Sequence, residues 1–459
     1  MSTHETPDPD RIVVLDVVGL APRHLRGERA PNLTALLEGG STAALRPPLP
    51  AVTVPSQTTL TTGQSPATHG DVANGEYDRE TDEVEFWDRA SGDRNRLWEA
   101  ASDEAGLTTG ALFFQHLIGT SADVAVTPSP IEDEDNNMLE MNCWTNPDGF
   151  YDDLREEYGH FPLHNYWGPA ANAEGSAWIL DAARESISRF DPDLLWIYVP
   201  HLDYDAQRHG PSAPETLDAL ETVDGLLGEF LTWLRSTDRW PETLVNVVSE
   251  YGFHDVERPA FPNRALRDAG LLAVEDDGQG GEAVDLPESR AFAMVDHQAA
   301  HVYTDDPGAA RRAVEGLDGV ETVVTDAEKP AYGLDHPNAG ELVLIASPDA
   351  WFQYYWWRDD ADAPHYATDV DIHAKPGYDP CELFFGDGGM ASLDPTLVSG
   401  SHGRVDDGAF GFYGLGGPAA PPDELEQSAV DARDVAPTIA ELLGIADDVS
   451  LAFDGSSLV

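Results

Sequence analysis

The chain alternates between short continuous apolar runs and longer stretches with helical spacing. Arg11-Ile-Val-Val-Leu-Asp16-Val-Val-Gly19 is a β-branched run that stops at an acid and a glycine. That pattern predicts a buried parallel strand with a functional end. Leu107–Phe114, Asp193–Val199 and Leu244–Val248 read as strands too. Between them, Pro31–Gly39, Arg94–Ala105, Ala177–Phe190 and Glu215–Leu234 carry helical spacing. In the last, Leu217, Leu220, Val223, Leu226, Leu227, Phe230 and Leu234 fall on one stripe. Thr58–Gly63 suits a short helix opening after Pro55-Ser56, and Ala432–Leu443 a terminal one. Alternating strands and helices predict an α/β three-layer sandwich with a mainly parallel central sheet. Ligands of such sheets bind at the carboxyl ends of strands, where Asp16, Asp203 and Glu250 fall.

The pattern changes near residue 256. Ala291–Thr304 reads as one strand, Gly308–Leu317 as a helix and Glu341–Ser347 as a strand. Trp351-Phe-Gln-Tyr-Tyr-Trp-Trp357 follows, an aromatic cluster read as core. The expected organisation is a catalytic core from 1–255 and 396–459, with a smaller α+β cap inserted at 256–395.

Charge narrows the function classes. The 459 residues hold 26 Lys plus Arg against 84 Asp plus Glu, a formal net charge of −58. Phosphate neutralisation needs basic surface, so a nucleic-acid polymer is excluded as partner. An anionic membrane surface is excluded likewise. The acid is spread along the chain, and Lys329 and Lys375 are its only lysines. An evenly acidic surface stays soluble where salt screens its self-repulsion, which reads as adaptation to a salt-rich cytoplasm. Met1–Asp10 is polar and acidic, so no signal peptide is expected, and no apolar run approaches the ~18–20 residues of a membrane helix. Cys143 and Cys381 cannot build a disulfide framework or a thiolate zinc site. Oligomeric state is not legible.

The candidate chemistry starts at Thr53, between Pro50 and Pro55 and ahead of the expected helix. A hydroxyl there either caps a helix or attacks a phosphorus held by helix-end N–H groups. Asp16, Thr53, Asn74, Asp203 with Gly210-Pro211, Glu250 in Ser-Glu-Tyr-Gly and His402 in Ser-His-Gly occur in one order. Thr53-Val-Pro-Ser56 is followed by Thr62-Gly63-x-x-Pro66-x-x-His69-Gly70, and the tail carries Asp434-Val-Ala-Pro437 and Asp454-Gly455-x-Ser457-Leu458. This ordered set resembles the alkaline phosphatase superfamily, in particular its type I phosphodiesterase/nucleotide pyrophosphatase branch.

The resemblance implies hydrolysis of a small-molecule phosphate ester through a phosphothreonine at Thr53. It implies two divalent ions, usually zinc. One would take Asp16, Thr53 and the positions held here by Glu250 and Tyr251; the other would take Asp203, the position held by Gln207, and His402. The Asn74 amide would donate to a substrate oxygen. This sequence departs from the family pattern at three places: Gln207 and Tyr251 stand where histidines are expected, and Glu250 where Asp is. An oxygen-rich set suits Mn²⁺ or Mg²⁺ better than zinc. His201, His254, His297, His301 and His373 are candidates to complete the site. Lys375 and Arg208 read as surface charges. A phosphonate or phosphomonoester hydrolase on the same site, and a non-catalytic binding relative, are the alternatives.

Overall fold

The computed structural model describes residues 9–26, 28–87, 90, 92, 95–133, 138–421, 425 and 427–459. Its main sheet is built from β1 (Arg11–Val17), β2 (Ser41–Arg46), β3 (Thr109–Leu112), β4 (Val124–Pro128), β5 (Cys143–Asn146), β6 (Leu194–Val199) and β7 (Thr243–Val248). A second sheet holds β8 (Ala291–Asp296), β9 (Ala299–Thr304), β10 (Val320–Thr325) and β11 (Leu342–Ala346). The chain then returns to the main sheet as β12 (Gly411–Gly416) and β13 (Ala429–Asp431).

The nine-stranded order is β13-β2-β12-β7-β1-β6-β3-β4-β5. The run β7-β1-β6-β3-β4 is parallel, and β12 and β5 run antiparallel to their neighbours. Every residue of β1, β6 and β7 is buried, so both faces of the sheet are covered, as continuous apolar runs require. Asp16 pairs in register with Tyr198 on one side and Val248 on the other. The carboxyl ends of β1, β6 and β7 therefore open on one edge.

Helices follow the apolar spacing: α1 (Pro31–Leu37), α2 (Thr53–Thr62), α3 (Ala173–Phe190), α4 (His201–His209), α5 (Pro214–Leu234) and α6 (Val435–Leu442). Helix α5 packs against α1, α3 and α4, and α6 packs against α2. Two expectations shift here. Helix α2 starts at Thr53, five residues before the expected start. Pro55 falls in its first turn, where a missing N–H breaks no intrahelical bond. Asp203 lies inside the first turn of α4, just beyond the end of β6. The helix expected from Arg94 runs over Leu97–Asp103; Arg94 lies outside the described residues.

The second sheet is antiparallel in the order β8-β9-β11-β10. The single strand expected over Ala291–Thr304 is a hairpin whose two-residue turn is His297-Gln298. His297 takes φ 59°, a left-handed conformation that normally marks Gly or Asn, so no turn residue announced the reversal. Trp351–Trp357 is core, with Tyr354, Trp356 and Trp357 fully buried alongside Phe292, Met294 and Leu344. Lys375 and Arg208 are not surface charges. The Lys375 ammonium is buried between Asp379 (3.0 Å) and Glu382 (2.7 Å), and the Arg208 guanidinium donates to the carbonyls of Ala171 and Leu383.

Candidate active site

Two buried acidic groups of different character are tied to the start of α2, one through Gln57 and one through Thr53 itself. On one flank, Asp16 at the end of β1 and Glu250 just past β7 are both fully buried and lie against each other. Glu250 Oε1 accepts from Gln57 Nε2 at 2.7 Å, and Gln57 Oε1 accepts from the Gln115 backbone at 2.7 Å. Gln57 follows Thr53 by one helical turn of α2, so Glu250 is tied to the helix that begins with Thr53. The other Glu250 oxygen and both Asp16 oxygens have no hydrogen-bond partner. The Glu250 backbone and carboxyl nevertheless lie close enough to Asp16 to act on it as hydrogen-bonding neighbours. Burial pushes the Asp16 carboxyl up to about 7 and Glu250 well above the ordinary carboxylate range, with Asp16 adding to the Glu250 rise.

On the other flank, Asp203 is satisfied by its own neighbours. Gln207, one turn further along α4, donates to Oδ2 at 2.6 Å, and the Tyr251 hydroxyl donates to Oδ1 at 3.2 Å. The Gln207 oxygen accepts from the Tyr378 hydroxyl at 2.7 Å, which fixes the amide orientation. Burial still pushes Asp203 up to about 7, against the pull of those two donors. The Tyr251 oxygen lies 3.2 Å from Thr53 Oγ1. Tyr251 has one proton and gives it to Asp203, so the Thr53 hydroxyl donates to Tyr251. The direction is Thr53 to Tyr251 to Asp203.

His402 completes this flank. Its Nδ1–H donates to the Ala51 carbonyl at 2.7 Å, so Nε2 carries the lone pair. That Nε2 has no hydrogen-bond partner and sits 3.9 Å from Asp203 Oδ1. Burial lowers its pKa to about 3, so the ring is neutral. Four rings form a column, Tyr378 stacked on His297, His297 tilted by 36° against His402 and His402 stacked on Tyr251, each pair with ring centroids 3.7 Å apart. Thr53, Asp203, Gln207, Tyr251, His297 and His402 line one cavity of about 80 Å³, whose remaining wall is largely aromatic.

The sequence-predicted residues therefore separate into groups. Tyr251 was expected beside Asp16 and Glu250, and its hydroxyl instead reaches Asp203. Gln207 turns its N–H, not its oxygen, toward Asp203. Asn74 lines a neighbouring cleft: its oxygen accepts from Val54 N at 2.8 Å and its amide donates to Asp296 at 3.0 Å. Of the five additional histidines, His297 alone reaches the cavity. His201 starts α4, His254 pairs with Asp406, His301 is held by Val72 and Gly340, and His373 faces the Phe86 carbonyl. Sequence reasoning missed Gln57, Gln115 and Tyr378. Gln57 was findable at i+4 from Thr53 once α2 is started there; Tyr378 carries no local signal.

With this geometry in view, the family model for type I phosphodiesterase / nucleotide pyrophosphatase matches residues 12–379, most of the chain. The chain belongs to this family. An uncharacterised pyrophosphatase/phosphodiesterase of Schizosaccharomyces pombe is 24% identical over 260 residues, 56% of this chain and 46% of that protein. The chain thus spans about half the length of that curated relative. Murine ectonucleotide pyrophosphatase/phosphodiesterase 5, solved as an inactive variant in complex with AMP, superposes with a TM-score of 0.62 at 15% identity, covering 97% of each chain. Phosphonoacetate hydrolase of Sinorhizobium meliloti, in complex with phosphonoformate, superposes with a TM-score of 0.61 at 16% identity over 96% of this chain and 97% of that one. Both share the fold.

The family's metals can be tested against the residues present. Among the described residues, no three His, Cys, Asp or Glu side chains form a group that could hold a metal ion. The two flanks still differ in fit. On the Asp16–Glu250 side three carboxylate oxygens lack a conventional hydrogen bond, although Glu250 bears on Asp16 through both its backbone and its carboxyl. Asp16 and Glu250 are the residues that would hold a cation on that side, two carboxylates and so short of a three-ligand group. On the Asp203 side each carboxylate oxygen accepts one hydrogen bond from a neutral donor, and the unpartnered His402 Nε2 stands 3.9 Å from Oδ1.

Proposed function

We propose that this chain hydrolyses a small-molecule phosphate ester, a phosphodiester or a nucleotide pyrophosphate, with Thr53 as the nucleophile. The observation that carries this reading is the Thr53 hydroxyl at the first residue of α2, opening on the aromatic-walled cavity that Asp203 and His402 also line. In the first turn of α2 the Val54 N–H is held by Asn74, Pro55 has none and the Ser56 N–H bonds the Val52 carbonyl, so any helix-end help to a phosphoryl oxygen falls to the Thr53 N–H. Attack forms an Oγ–P bond and breaks the P–O bond to the leaving group; water then hydrolyses the phosphothreonine and restores the hydroxyl. The hydrogen-bond direction from Thr53 through Tyr251 supports loss of the Thr53 proton toward Asp203. A divalent cation on Asp16 and Glu250, when bound, would favour the alkoxide and offset phosphoryl charge. The aromatic wall, including Trp87, Tyr166, Trp167 and Tyr204, suits a flat or apolar leaving group. The even spread of acid supports a salt-rich cytoplasm as the setting.

The test is Thr53→Ala, assayed at high salt on bis-p-nitrophenyl phosphate. Turnover should fall by about 10³-fold or more while metal content stays nearly unchanged. Undiminished turnover overturns the proposal. Preference for the bis over the mono ester supports a diester substrate.

A further inference from the structure

The cavity beside Thr53 has no basic side chain in its wall: among the described residues that line it, none is Lys or Arg. The N–H and O–H donors of the wall therefore matter for charge on a phosphoryl group. We propose that His297, carried into the cavity by the turn of the β8–β9 hairpin, donates its ring N–H to a non-bridging phosphoryl oxygen of the substrate. The inference rests on the functional reading above and adds to it a substrate contact from the inserted sheet.

The ring column singles out His297. Tyr378 gives its proton to Gln207, Tyr251 gives its proton to Asp203, and His402 gives its Nδ1–H to the Ala51 carbonyl. Asn74, the amide expected on a substrate oxygen, spends an N–H on Asp296 and lines the neighbouring cleft. The His297 ring is only 3% exposed and borders the cavity that Thr53 opens on. Among the described residues, neither of its ring nitrogens has a hydrogen-bond partner. An imidazole carries at least one N–H in either protonation state, so a donor is left over. A buried donor without a partner is costly, and a ligand oxygen would satisfy it. Tyr378 and His402 hold the ring in place, each with its centroid 3.7 Å away.

The chain neighbours of His297 are tied to the groups around Thr53. Asp296 accepts from the Asn74 backbone at 2.7 Å and from the Asn74 amide at 3.0 Å. Asn74 in turn accepts at 2.8 Å from the N–H of Val54, the residue after Thr53. On the other side, the Gln298 N–H donates to the His402 carbonyl at 2.8 Å. The hairpin turn is thereby fastened to the start of α2 and to His402 at once. His297 holds φ 59°, where Asn or Gly would be relaxed. A histidine placed in a strained turn at a cavity wall points to a use for its side chain.

The experiment is isothermal titration calorimetry of inorganic phosphate into the full chain at high salt. His297→Gln keeps an N–H of similar reach and should bind phosphate within about 3-fold of the wild type. His297→Phe keeps a ring in the column without a donor and should bind about 10-fold more weakly, or worse. His297→Asn relaxes the left-handed turn but shortens the donor's reach; it should bind as weakly as His297→Phe while resisting urea at least as well as the wild type. If His297→Phe does not fold, His297→Asn decides. Equal affinity in the wild type and the variant that decides, equal loss in His297→Gln, or no phosphate binding by the wild type overturns the proposal. Thr53→Ala separates this proposal from the functional one. It should stop turnover of bis-p-nitrophenyl phosphate while binding phosphate about as tightly as the wild type. Turnover that survives in Thr53→Ala removes the nucleophile and leaves the His297 contact to be judged by phosphate affinity.

Discussion

The two acidic flanks of Thr53 start from the same chemistry and end in opposite states. Asp16 and Glu250 are two carboxylates that bear on each other, with three oxygens lacking a conventional hydrogen bond. Asp203 is one carboxylate whose oxygens are both filled by the chain's own N–H and O–H groups. Burial raises the pKa of Asp16 and Asp203 alike to about 7, so desolvation does not distinguish them. What distinguishes them is the residues one step away. An imidazole at position 207 or 251 could offer a lone pair; an amide and a phenol offer protons. The difference teaches that a buried carboxylate can be compensated by neutral donors on its own and neighbouring elements, as Gln207 and Tyr251 do for Asp203.

The comparison breaks most readily at Asp16. Asp16→Asn removes half of the unsatisfied pair, and turnover should fall by about 10³-fold, with Glu250→Gln close behind. Asp203→Asn should cost less, on the order of 10–100-fold, because the acceptor of the Thr53–Tyr251 chain is weakened while the first flank stays intact. If Asp203→Asn proves the more severe of the two, the assignment of unequal roles fails. Initial rates on bis-p-nitrophenyl phosphate read both.

Tyr251→Phe sharpens the comparison further. It keeps the ring stacked on His402 and deletes the hydroxyl that joins Thr53 to Asp203. A fall in kcat of about 10-fold with KM nearly unchanged is expected for a group that conducts a proton without gripping substrate. A rise in KM alone would mean that the hydroxyl binds substrate.

How much of this was legible beforehand follows from where each interaction lies. Parallel strands announced themselves because burial on both faces demands continuous apolar runs, and their acidic ends located Asp16 and Glu250. Helix α5 was readable to within a residue from its apolar stripe. The start of α2 was not, because Pro55 looks like a helix boundary unless it is counted in the first turn. The hairpin at His297-Gln298 was hidden because a histidine occupies a left-handed turn position without the usual glycine. Within the site, residue identity told where groups converge but not which atom each presents. Gln207 was read for its oxygen, and Tyr378, 171 residues away in sequence, claims that oxygen. The burial of Lys375 was invisible for a related reason: its partners Asp379 and Glu382 are close in sequence, but only the surrounding packing removes all three from water.

The smallest effect tests whether acid sensitivity belongs to the flanks at all. Asp16 and Asp203, with raised pKa values, contribute stability that is present at low pH and lost as pH rises toward 7. His301 works in the opposite direction. Its ring is fully buried in β9, Nδ1 accepts from Gly340 N at 3.1 Å, and Nε2–H donates to the Val72 carbonyl at 2.9 Å. Burial lowers its pKa from 6.5 to about 4. The unfolded chain therefore takes up this proton first as pH falls, so the contribution is present above pH 6.5 and drains away down to about 4. The slope is about 1.4 kcal/mol per pH unit within that window. His301→Gln retains an acceptor and a donor of similar reach and cannot charge. Urea unfolding followed by tryptophan fluorescence at about pH 7 and about pH 5 should show the variant losing roughly 2 kcal/mol less than the wild type on acidification. Equal losses in both proteins would assign the acid response to other buried groups, His402 and His24 first among them, since burial lowers both in the same sense.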